Sequence, residues 1–154
     1  MTVIDDESID VYERHAGELI RFATGLVGPS DAQDVVSDAI TRLMSAPVWE
    51  KADNHRALMF RAVLYEARMF HRSRTRRLSR EARAATREAY EMPEIAPEVA
   101  RAVAHLSPQQ RAVVFLTYWD DLDAATVARL LGVSEGTVRK HLGRARDRLR
   151  EVFV

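Results

Sequence analysis

TVARLLGVSEGTVRK, residues 126–140, decides the fold of this chain: one short helical pattern stops at Gly132 and a second, basic one starts after Ser134. Ala128, Gly132 and Val138 have the spacing of a helix-turn-helix. The alanine lets two helices approach closely, the glycine takes the turn, and the valine locks the second helix against the first. A second helix presented this way fits the major groove of DNA. On that helix Val138, Leu142, Ala145 and Leu149 form an inner face. Arg139, Gly143, Arg146 and Arg150 lie on another, with Lys140 and Arg144 beside them. Arg and Lys over the first two turns suit base edges and phosphates. Gly143 costs about 1 kcal/mol of helix propensity. Either the backbone comes close to DNA there or the cost is simply tolerated.

Working outward, helical periodicity dominates and no alternating strand pattern stands out. Just upstream, Ser107-Pro108-Gln109-Gln110 reads as a helix start, with Ser as N-cap, Pro in the first helical position and Gln110 as the reciprocal capping-box partner. Residues 88–98 (EAYEMPEIAPE) hold two prolines and four glutamates with little to pack, which marks a linker. Before it, Ile9, Tyr12, Ala16, Leu19, Ile20, Ala23 and Leu26 make one apolar stripe, broken by Gly28-Pro29-Ser30. A second helix over about 31–45 carries Ala32, Val35, Val36, Ala39, Ile40 and Leu43 on one face. Residues 46–55 read as a loop carrying Val48 and Trp49. A long third helix begins near Arg56, with Leu58, Ala62, Tyr65 and Met69 at helical spacing. The expectation is an all-α chain of two small helical domains, 1–87 and 99–154, joined by a flexible linker at 88–98.

The 154 residues carry no net charge, which sits oddly with DNA binding until the charges are placed along the chain. Residues 1–53 hold eleven acids and four bases. Residues 61–87 hold nine arginines against Glu66 and Glu81. Residues 88–134 are acidic again, and 135–154 hold six bases and three acids. Two basic surfaces can meet nucleic acid; the acidic N-terminal part needs another task. Within it Asp31, Asp34 and Asp38 share one side of a helix, which is either a solvated face or a protein-binding one. In the third helix Phe60, Tyr65, Phe70 and His71 interleave with Arg61, Arg68 and Arg72, a mixture that can hold unstacked bases. The plainer account of those aromatics is core packing.

Other classes find little support. The five histidines are scattered, and no catalytic cluster, phosphate-cradling loop or metal-ligand spacing occurs. Hence no catalysis, cofactor or metal is expected. There is no cysteine, so a reducing cytoplasm is the natural home. No apolar run approaches the roughly 20 residues of a membrane span, so no membrane insertion is expected.

Taken in order, these pieces resemble one family, the bacterial RNA polymerase sigma factors of the extracytoplasmic-function (ECF) group. LSPQQR, then DDL, then ATVARLLGVSEGTVRKHLGRAR resembles region 4, the reader of the −35 promoter element. LVGPSDAQDVVSDAITRL resembles the region 2 segment that docks core RNA polymerase, and RALMFRAVLYEARMFHRSRTRR resembles the helix that melts and reads the −10 element. The resemblance implies a promoter-specificity subunit whose partners are core RNA polymerase, promoter DNA and an anti-sigma factor. It places Asp34, Ser37, Asp38 and Arg42 against polymerase. It places Trp49, Arg61, Tyr65, Arg68 and Arg72 at −10, and Thr137, Arg139, Lys140, Gly143 and Arg144 at −35. The family usually has Gln where Ser37 stands and Asn where Tyr65 stands, so one polymerase contact and the −10 preference need not follow the family pattern. A stand-alone helix-turn-helix regulator, monomeric or dimeric, is the rival reading.

Overall fold

The computed structural model describes residues 4–80 and 97–153, and over them the chain forms eight helices and no strand. They are α1 (Asp6–Val27), α2 (Ala32–Met44), α3 (Pro47–Glu50), α4 (His55–Arg80), α5 (Pro97–Ala104), α6 (Pro108–Tyr118), α7 (Ala124–Leu131) and α8 (Glu135–Phe153). Most of the expected linker, and residues 81–87 before it, lie outside the described residues. Pro97 and Glu98, counted with the linker from sequence, open α5.

Local chemistry sets the helix ends. Asp5 Oδ1 accepts the Ser8 N–H at 2.8 Å and starts α1. Gly28 stops it at φ 88°, donating its N–H to Thr24, and Pro29 cannot continue the helix. The expected capping box at α6 is formed: the Gln110 N–H meets Ser107 Oγ at 3.2 Å, and the Ser107 N–H meets Gln110 Oε1 at 3.1 Å. Asp123 caps α7 through the Thr126 N–H.

α1, α2 and α4 pack as a three-helix bundle. α2 buries the six residues expected of it, together with Met44. Phe22, absent from the sequence-level stripe of α1, is fully buried, its ring centroid 4.9 Å from that of Phe60. Ile9, assigned to that stripe, is exposed. α4 is turned about one residue from its expected phase. Its inner face is Met59, Phe60, Val63, Leu64 and Ala67, while Leu58 and Ala62 lie on the flank and Tyr65 is 56% exposed. The reason is that α4 meets α1 and α2 on one side and α6 and α7 on the other, which buries a wide arc with no single stripe at its centre. The expected loop at 46–55 contains the one-turn helix α3, which seats Trp49 in the core.

The two halves share one core. α1 and α4 both pack on α6, and α4 also packs on α7. The Phe115 side chain of α6 fits against Gly25 of α1, where a Cβ would lie 2.7 Å from Phe115 Cδ2. Arg111, 6% exposed, spends its guanidinium on backbone oxygens: Leu106 at 3.1 Å, Ala104 at 2.8 Å and, across the seam, Leu26 at 2.7 Å. His71 Nε2 lies 2.7 Å from the same Leu26 oxygen and 3.2 Å from Arg111 Nη1. At the periphery Arg21 pairs with Asp120 at 3.0 Å. In the bundle, Arg56 grips Glu18 with both fork nitrogens at 2.8 and 2.9 Å, which holds the Glu18 carboxyl below its ordinary value.

Burial, helped by the nearby Arg111 and Arg74 charges, pushes the His71 imidazole below its ordinary value, against the pull of the Leu26 carbonyl. His141 shifts the same way, through burial and then Arg144 and Lys140. A depressed histidine stabilises the fold above the unfolded value near pH 6.5, and that stability is lost as pH falls below it, because the unfolded chain takes up protons the folded one refuses. The melting temperature, followed by circular dichroism, should therefore be flat near pH 8 and decline from about pH 6.5 toward 5.5. His71→Gln should flatten part of that decline.

Candidate nucleic-acid and polymerase-binding faces

The α7–α8 pair is a helix-turn-helix in geometry as well as in spacing. Gly132 adopts the left-handed conformation at φ 69°, ψ 35°, and the Val133 N–H returns to the Ala128 carbonyl at 3.1 Å. A side chain at Gly132 would be strained by that φ and would also meet Arg61 Nε at 2.7 Å. Ser134 Oγ takes the Thr137 N–H at 3.1 Å and lies 2.9 Å from the Thr137 hydroxyl, fixing the start of α8. Val138 and Ala145 are fully buried and Leu142 nearly so, which aims the opposite face outward.

Partners sort the cations of α8. Arg146 donates twice to the Tyr118 hydroxyl, at 3.0 and 2.8 Å, and Arg148 donates to the His105 carbonyl. Arg150 lies 3.8 Å from Asp147, and Arg139 pairs with Glu135 at 3.1 Å, exposed and readily exchanged. Lys140 and Arg144 are exposed and have no ion pair among the described residues. Gly143 lies between them on the helix surface, where a Cβ would meet nothing within 4 Å. No packing inside the protein requires a glycine there.

On α4, Arg61, Tyr65, Arg68 and Arg72 recur every three or four residues and all are exposed, so they form one basic–aromatic stripe. Arg61 is already engaged: its guanidinium donates to the Arg129 carbonyl at 2.9 Å and the Leu130 carbonyl at 3.3 Å, at the C-terminal end of α7. Cations are favoured there because the last carbonyls of a helix lack partners and carry partial negative charge. Trp49 does not join the stripe. It is 4% exposed, donates its indole N–H to Ser8 Oγ at 2.8 Å, and meets the His55 ring edge-on at 4.3 Å. It serves as a core plug in this structure, which corrects its assignment to the −10 face.

On α2, Gln33, Asp34, Ser37, Asp38 and Thr41 make a continuous exposed face. Arg42, at its end, reaches across to Glu66 of α4, whose carboxylate is largely buried. It helps hold α2 on α4 besides edging the acidic face. Sequence reasoning missed Arg111. The available signal was its company: residues 111–116 of α6 are all buried, so a charge among them has no route to solvent.

Comparison with known proteins points to one family. Residues 97–149 match the family model "Sigma-70, region 4". The chain is 32% identical over 146 residues to the RNA polymerase sigma-E factor of Streptomyces coelicolor, covering 88% of this chain and 80% of that one. It is 31% identical over 143 residues to the ECF RNA polymerase sigma factor SigL of Mycobacterium tuberculosis, covering 86% and 80%. Among solved structures, the sigma factor RpoE in complex with the anti-sigma factor NepR from Bartonella quintana superposes with a TM-score of 0.66 at 21% identity, over 97% of this chain and 98% of that one. CnrH in complex with the cytosolic domain of CnrY gives 0.63 at 24% identity, over 95% and 86%. These two share the fold.

Proposed function

The chain belongs to the RNA polymerase sigma factors of the extracytoplasmic-function group, and from that membership we propose a division of labour among its faces. It is a promoter-specificity subunit that binds core RNA polymerase and directs transcription initiation at promoter DNA. In our reading residues 1–87 and 99–154 act as the two promoter-engaging units. The exposed α2 face of Asp34, Ser37 and Asp38, edged by Arg42, docks polymerase. The α4 stripe of Arg61, Tyr65, Arg68 and Arg72 meets the −10 strand. Thr137, Arg139, Lys140 and Arg144 of α8, with the backbone at Gly143, meet −35.

The observation that carries this reading is the α7–α8 geometry. A locked helix pair turns Lys140 and Arg144 outward beside a surface glycine. Two weak contacts on one tether combine through effective concentration, so neither unit needs strong DNA affinity alone. Zero net charge fits that arrangement. The chain acts by directing polymerase rather than by chemistry of its own, and a cytoplasmic location follows from that task. No helix among the described residues is long and apolar enough to cross a membrane. The RpoE and CnrH structures are complexes with partner proteins, NepR and CnrY. We extend to this chain a partner of the anti-sigma kind.

Reconstitution with core polymerase on a promoter library tests the reading. Specific run-off transcripts are expected with core enzyme, and only weak, unspecific DNA binding without it. Tight promoter binding by the free chain and no initiation with core enzyme would favour the stand-alone regulator. Gly143→Ala gives a second test with two opposed signs. It should stabilise the folded chain by up to about 1 kcal/mol, since alanine is the better helix former and has open space. It should also weaken −35 recognition if the backbone approaches DNA there, measured as transcription from promoters carrying and lacking that element.

A further inference from the structure

His141 is a titratable side chain of α8 that the −35 reading leaves without a task. One helical turn away it has Thr137 and the exposed Arg144 on its outward side, and the buried Val138 and Ala145 on its inward side. It therefore stands on the border between the reading face and the core, and its ring is half-buried. The buried edge is Nδ1, which has no hydrogen-bond partner among the described residues. The opposite edge, Nε2, is the one that can meet a ligand. A helix lying in the major groove turns its outermost residues to the base edges and the residues along its borders to the phosphates of the groove walls. His141 is placed for a wall.

Resting on the −35 reading of α8, we propose that His141 is a proton-linked contact: as an imidazolium it binds a backbone phosphate of the −35 element, so recognition strengthens as pH falls through the neutral range. In the free chain the imidazolium is disfavoured by burial, then by Arg144 and Lys140. The elements packed on α8 bring few other charges. α6 brings Arg111, committed to backbone carbonyls, and Tyr118, held by Arg146. α7 brings Arg129, and α5 brings Glu98 and Arg101, with His105 just beyond it. The charges that shift His141 are those of its own helix. DNA reverses this balance. Phosphates neutralise the two neighbouring cations, and one within about 4–6 Å of Nε2 favours the charged ring. The bound imidazole then titrates higher than the free one, so binding takes up a proton. The gain is complete below the free value and is lost as pH rises through the bound one. Each unit between them is worth about tenfold in affinity, and lysine and arginine side chains do not titrate in this range.

The test uses holoenzyme reconstituted from the full chain and core polymerase, at about pH 8 and about pH 6 and at fixed ionic strength. Two promoter fragments are compared, one carrying and one lacking the −35 element. Binding to the first divided by binding to the second cancels what titrates elsewhere in either protein. For the parent that ratio should rise about three- to tenfold toward the lower pH. His141→Gln should hold it flat at the parent's high-pH level. His141→Arg should hold it flat near the low-pH level, since a permanent cation needs no proton. Nuclear magnetic resonance gives a second readout. The imidazole C–H signal missing from His141→Gln should titrate with a higher midpoint when excess duplex carrying the −35 element is added to the full chain. Equal pH slopes in parent and His141→Gln, or a midpoint that the duplex leaves in place, would overturn the proposal. A ratio of about one at every pH, in parent and variants alike, would instead remove α8 from the −35 element, and the proton-linked contact would fall with it.

Discussion

Arg111→Ala is expected to cost about 3–5 kcal/mol of stability, more than any other single truncation of a charged side chain in this protein. Removing the guanidinium leaves backbone acceptors unmet. Leu26, Ala104 and Leu106 each direct a carbonyl at the Arg111 guanidinium. Leu26 keeps its contact with His71 Nε2, so the loss falls mainly on Ala104 and Leu106, and each carbonyl deprived of its donor costs about 1–3 kcal/mol, partly offset where water can enter. Arg111→Lys should recover only part of the loss, because a single ammonium cannot reproduce a planar fork spread over carbonyls of three residues. For a chain of this size a loss of that order lowers the melting temperature by roughly 10 °C. The seam adds a second signature. One of the three carbonyls belongs to the other half of the molecule, so unfolding should also become less cooperative, splitting toward two transitions in urea. By contrast, Arg21→Ala at the rim should change stability by under about 1 kcal/mol. A melting temperature for Arg111→Ala within a degree or two of the parent would show that the hub is not what joins the halves.

Arg111 also shows where sequence reading stops. The helix-turn-helix was legible because its rules are local: a left-handed glycine, a serine cap and a valine two turns on act within fifteen residues. The capping box of α6 and the apolar face of α2 are local in the same sense. The phase of α4 was not, because which arc of a helix is buried depends on how many neighbours it has. Trp49 was ambiguous for a related reason. An indole in a short connection can face solvent or core, and here the deciding partner, Ser8, lies 41 residues away. Gly25 gave no signal at all. Its meaning is the Phe115 ring that needs the space, which belongs to the other half of the chain. The partner of Arg111 across the seam is likewise 85 residues distant. The acidic face and the two basic ones could be read from charge order alone, but their exposure in a closed arrangement is a property of tertiary packing.

Asp34→Lys combined with Asp38→Lys is expected to abolish run-off transcription while leaving the fold in place. Both aspartates are exposed on the outer face of α2 and make no ion pair among the described residues. Their inner-face neighbours Val35, Val36 and Ala39 are untouched. The two carboxylates repel each other at i, i+4, and two lysines repel about equally, so that term cancels. Asp34 does lose a favourable position in the first turn, about 0.3–1 kcal/mol, which makes Asp38→Lys alone the cleaner control. Where a docking surface attracts these carboxylates, each reversal replaces attraction by repulsion. If the two residues are central to that interface, each costs about 2 kcal/mol or more, and together they lower affinity for core enzyme by roughly a thousandfold. The asparagine pair, which removes charge without reversing it, should fall between parent and lysine variant, and the gap should narrow as salt screens the interaction. Circular dichroism should be unchanged throughout. Ser37 lies on the same face between them, and Ser37→Gln restores the residue the family usually carries there. If it strengthens core binding in the parent chain but not in the lysine variant, the three positions form one docking surface. Parental transcription from the lysine variant at limiting core enzyme would remove α2 from the interface altogether.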